Sequence, residues 1–145
     1  KIMSTEITKV EDGFSNQVIE LINNSAEEGV RNLLANVDTG ELLNSFLNVT
    51  CNIAKSKYEM VTKIYTSAIL AEVQREARTL DSIDQAVADY NSHIRALLSN
   101  LDTSNTENVN NVKALIEQVR LGLSETLAPY NRPSIFSRIG SLFRR

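Results

Sequence analysis

The chain has 145 residues, 42% of them hydrophobic and 23% charged, with a net charge of −3. That length supports one domain with a core of its own, and that balance excludes wholesale disorder. A single cysteine rules out an internal disulfide and every cysteine-based zinc motif, while the acidic net charge argues against nucleic-acid binding, which needs a basic footprint.

The first element is a helix capped by Ser4 or Thr5, because Ile7, Val10, Phe14, Val18, Leu21 and Ile22 advance in steps of three and four along one face. Gly13 interrupts it and either weakens the helix or admits a close neighbour. Ser25-Ala-Glu-Glu28 has the form of a capping box, predicting a short second helix with Val30, Leu33, Leu34 and Val37 inward. Asp38-Thr-Gly-Glu41 repeats the signature and opens the third element.

That third element is the centre of the chain. Neither Gly nor Pro occurs between Glu41 and Leu121, so helix is the default throughout. A helix of that length would span roughly 120 Å at 1.5 Å per residue, so it must fold back. The best place is Thr79 to Ser82, where Ser82-Ile-Asp-Gln85 offers another capping box. Glu41 to Arg78 is then expected as one central helix. Its run Leu42 to Ala54 carries no charge and reads as a buried segment, too short to cross a bilayer. Its polar members, Asn44, Ser45, Asn48, Thr50 and Asn52, face solvent on this reading, with a ligand cavity as the alternative. Asn48 to Asn52 are mediocre helix formers, which makes that stretch a candidate kink or break. Cys51, between Val49 and Ile53, is expected to be a buried, unreactive thiol.

The later half of the central helix turns a stripe of Val61, Ile64, Tyr65, Ala68, Ile69, Leu70 and Ala71 inward. The next helix, Ser82 to Leu101, has the cleanest period, with Ile83, Ala86, Val87, Tyr90, Ile94, Leu97, Leu98 and Leu101 on one face. Asp102 to Asn108 is a polar loop. Within it Ser104-Asn-Thr-Glu107 predicts the cap of a fifth helix marked by Val109, Val112, Ile116, Val119 and Leu123. Pro129 and Pro133 bracket a stiff connector.

The fold class that follows is all-α: an antiparallel helical bundle of about five helices over 1–131, the central helix and the two after it forming an antiparallel core. Residues 132–145 form a separate basic amphipathic segment. They hold four arginines and no acid, against eleven basic and eighteen acidic residues before them. On a helix Ile135, Phe136, Ile139, Leu142 and Phe143 make one apolar face, while Arg132, Arg138, Arg144 and Arg145 supply the charge. Those nine residues are the candidate contact with a protein partner or an anionic membrane. Docking on its own acidic bundle is the structural alternative, since so short a helix needs a surface to form on.

Catalysis finds no support in the motifs. The only histidine, His93, shares a helix face with Asp89 and reads as a surface pair. There is no glycine-rich phosphate loop, HExxH or EF-hand spacing, so no catalytic residue, cofactor or metal ligand is assigned. The sequons Asn23-Asn24-Ser25 and Asn48-Val49-Thr50 match the number expected by chance. The start at Lys1 favours a processed, secreted form, with a cytoplasmic location left open. The leading expectation is a non-enzymatic binding protein acting through protein contacts, with inhibition of its partner among its roles. The alternative is a carrier of lipid or a binder of membrane surfaces.

Overall fold

The computed structural model describes residues 2–79 and 83–127, with side chains from 13 to 126 within those ranges. Six α-helices account for most of them: α1 (Ile2–Asn23), α2 (Glu27–Leu34), α3 (Thr39–Cys51), α4 (Tyr58–Thr79), α5 (Ile83–Asn100) and α6 (Thr106–Leu127). No strand occurs among the described residues. The chain is an all-α helical bundle. No helix among the described residues is long and apolar enough to cross a membrane.

The sixth helix arises because the expected central helix is two. Asn52 donates its side-chain amide to the Asn48 carbonyl at 2.8 Å, and Thr50 donates its hydroxyl to the Leu47 carbonyl at 2.9 Å. Side chains that bond back to the carbonyls of the last turn offer the backbone an alternative to continuing the helix. The chain therefore leaves α3 after Cys51, passes Ala54 in an extended conformation, and re-enters helix through a 3₁₀ turn at Lys55–Lys57. The break lies at the end of the stretch of poor helix formers that marked it.

Three of the expected caps differ: Ser4 and Thr5 lie inside α1, which already begins at Ile2, and those at Ser25 and Ser104 fall elsewhere. Asp38 does cap α3, accepting from the Glu41 backbone N–H at 2.9 Å. Ser25, however, opens nothing: it closes α1. Its φ of 59° puts it in the left-handed region, its N–H donates to the Ile22 carbonyl, and the Ala26 N–H donates to Leu21 at 2.8 Å. Those bonds make a Schellman ending, usually built on glycine. Helix α2 starts after Ala26 without a side-chain cap. At α6 the cap is Asn105, whose Oδ1 accepts from the Asn108 N–H at 3.2 Å. Ser104 donates to Asp102 instead, through hydroxyl and backbone N–H. Ser82 lies outside the described residues.

Helix α4 sits at the centre of the bundle, packed against α2, α3, α5 and α6. Helix α6 runs parallel to α4, and the two stay in register along their length: Lys55 meets Glu107, Thr66 meets Gln118, and Leu70 meets Gly122. At Gly122 a Cβ would collide with a Leu70 methyl, so glycine sets how closely α6 approaches. Gly13, by contrast, faces open space and admits no neighbour.

The core is aliphatic, with Phe46, Tyr65 and Tyr90 its largest members. Phe46 on α3 meets Tyr65 on α4 edge to face at 5.3 Å, a geometry worth about 0.5–1.5 kcal/mol beyond burial. Ile7 and Val10 lie outside the described side chains; among the described ones the expected inward residues hold their places with few exceptions. Ala71 is exposed, and Leu115, absent from the expected stripe, is fully buried.

Candidate functional site

The residues singled out in the basic segment, Arg132, Ile135, Phe136, Arg138, Ile139, Leu142, Phe143, Arg144 and Arg145, lie outside the described residues. The sites that can be built from geometry are on the helices.

The uncharged run Leu42 to Ala54 is core on one side and solvent on the other. Asn44, Asn48 and Asn52 are exposed, while Ser45 and Thr50 are buried and hydrogen-bonded. Its one thiol departs from expectation, for Cys51 is exposed. It is the last residue of α3, past the point where the helix dives into the core. Its Sγ accepts from the Asn108 side-chain amide at 2.9 Å, tying the end of α3 to the first turn of α6. The Lys55–Glu107 ion pair joins α4's entry to the same turn, with both side chains more than half exposed. Screening leaves such a pair little energetic weight.

Asp89 and His93 form no ion pair in the structure. The Asp89 Oδ1 accepts from the Gln85 amide at 3.1 Å, and the His93 ring packs on Gly40, where a Cβ would come within 3.1 Å of its Nδ1. Across this junction stands Glu76 of α4, whose Oε2 is buried without a hydrogen-bond partner. Burial raises its carboxyl pKa, and the negative charges of Glu72 and Asp89 push in the same direction. His93 opposes them and Asp38 adds to them. No group of three or more His, Cys, Asp and Glu among the described residues is placed to hold a metal ion. Burial also drives the hydroxyl pKa values of Tyr65 and Tyr90 well above the ordinary tyrosine value.

Among the described residues are two open clefts. The larger, about 400 Å³, runs between α2 and the start of α4, with Glu27 and Arg31 on one wall, Glu59 and Lys63 on the other, and Met60 and Ile64 beneath. The smaller, about 270 Å³, lies along α5 at Ala88, Asn91, Ser92 and Arg95. Lys63 pairs with Glu59 at 3.4 Å. Arg31 and Arg95 have no ion-pair partner among the described residues, although the protein is acidic.

Sequence reasoning did not single out Asn91, which is buried with an unpartnered side-chain oxygen. The signal was present in its spacing, since Asn91 stands four residues after Val87 and three before Ile94, on the edge of the apolar face. No family model, curated protein or solved structure matches this chain.

Proposed function

We propose that the protein is a non-enzymatic binding module that acts by occupying an acidic surface of a partner protein. The observation that carries this reading is the pair of clefts, each lined by an arginine with no ion pair among the described residues. An unpaired guanidinium keeps its bidentate capacity for a carboxylate, and arginines seated in surface depressions are enriched among the residues that dominate interfaces. The basic segment 132–145 supports the same choice of partner, because its four arginines stand against a net −7 in the rest of the chain.

Deleting residues 134–145 tests the reading. The shortened chain keeps its helical circular dichroism and its melting cooperativity but captures the partner less, and what it captures depends less on salt. A shortened chain that melts far lower and retains all its binding when refolded assigns the segment to the core and moves the interaction elsewhere.

A further inference from the structure

We propose that the corner where α4 and α5 meet the start of α3 is a proton-operated latch. It is closed while the Glu76 carboxyl holds its proton, and it loosens at the contact between His93 and the first turn of α3 as that carboxyl ionises and turns to water. The device is independent of which partner the protein binds.

Glu76 carries the argument. Its side chain is half-buried, yet its Oε2 is out of solvent with no hydrogen-bond partner. The charged groups that act on it come from three helices: Glu72 from its own, Asp89 and His93 from α5, and Asp38 from the cap of α3. Arg75 is already bound to Glu72. His93 is therefore the one group there able to answer the carboxylates with positive charge. A protonated carboxyl brings its own donor and no charge, whereas a carboxylate at that oxygen has neither water nor a donor. Burial first, then Glu72 and Asp89, raise its pKa above the ordinary 4.5, with Asp38 adding to them and His93 opposing. Such a carboxyl favours the closed corner at low pH, and that preference is lost as pH rises through the raised value.

The seat beside Glu76 is close-fitting. A Cβ on Gly40 would stand 3.1 Å from His93 Nδ1 and 3.4 Å from Asp38 Oδ1, so the ring and the cap carboxylate close on the same point of α3. Asp38 also holds the first turn. Its side chain accepts from the Glu41 N–H and its carbonyl from the Leu42 N–H, both at 2.9 Å. The chain just before, residues 35–38, is not helical, so no regular structure upstream stiffens that turn. Further along α3, Leu43, Phe46 and Val49 are fully packed in the core, which confines the loosening to the helix start.

The test is amide hydrogen exchange of the full chain between about pH 4 and pH 7.5, with the intrinsic pH dependence of exchange divided out. The proposal expects protection at Glu41 and Leu42 to fall several-fold across that range while Leu115 and Val119 of α6 keep theirs. Glu76→Gln, which cannot ionise, keeps the protection at both ends of the range. Asp89→Asn removes one of the charges that hold the proton on Glu76, so the fall moves to lower pH. Wild-type protection at Glu41 and Leu42 that ignores pH, that falls equally at Leu115 and Val119, or that still falls in Glu76→Gln overturns the latch.

Discussion

The hydroxyl groups of Ser45 and Tyr65 lie 2.7 Å apart inside the contact between α3 and α4. They are the one polar link across a face otherwise filled by Phe46, Val49, Val61 and Ile69. Removing the serine hydroxyl strands the phenol in a dry site, so Ser45→Ala costs about 1–3 kcal/mol. Ser45→Ala combined with Tyr65→Phe costs less than the two single changes added together. Tyr90 provides the contrast, because its hydroxyl is buried with no partner, and Tyr90→Phe stabilises the protein. Urea unfolding of the four variants measures all of this; single effects that add within error would mean the bond contributes nothing.

Glu76 predicts a pH dependence of definite sign. Its folded pKa is raised above the carboxyl value of 4.5, first by burial and then by Glu72, Asp89 and Asp38, against the opposing charge of His93. Between the unfolded and folded pKa values the folded state binds more protons, so this group's contribution falls as pH rises through that window. Above it Glu76 destabilises. Glu76→Gln therefore raises the melting temperature at pH 7, and the gain disappears below about pH 4, where the carboxyl is protonated in both states. A gain that is the same at both pH values would assign the effect to packing.

Ser25 holds a left-handed conformation that glycine adopts without penalty. Ser25→Gly keeps both bonds of the α1 ending and stabilises by about 1 kcal/mol, which is a rise in melting temperature of roughly 2–4 °C for a protein of this size. Ser25→Ala gives no such gain. Calorimetry of the pair checks the turn directly.

Cys51 is exposed, so a thiol reagent labels the native protein without denaturant. Labelling disrupts the bond from Asn108, and the modified protein loses stability at the α3–α6 junction, read as faster amide exchange around Asn105 to Val109. Labelling that waits for global unfolding would return the thiol to the core.

The sequence carried the helices better than their ends. Apolar periodicity located Val87, Ile94 and Val119 because burial repeats with the turn of a helix, and Asp38 was legible because its carboxylate and Glu41 sit three apart. Ser25 and Ser104 have the same spacing to a glutamate and do not cap. What decides them is backbone conformation at the preceding helix end, which spacing does not encode. The break after Cys51 was legible only as weakness, because it depends on Asn52 and Thr50 turning back on the Asn48 and Leu47 carbonyls. Arg31 and Arg95 were illegible for a different reason. Whether an arginine is paired depends on which helices lie beside it, and that is settled by the fold.

Affinity capture with matched baits shows whether Arg31 and Arg95 meet acidic groups of a partner. The wild-type chain is compared with one carrying Arg31→Glu and Arg95→Glu, both at surface positions where charge reversal leaves the core untouched. The expected result is a protein held by the wild-type bait, released as salt rises, and lost from the reversed bait at equal folded concentration. Identical captures by the two baits would contradict it.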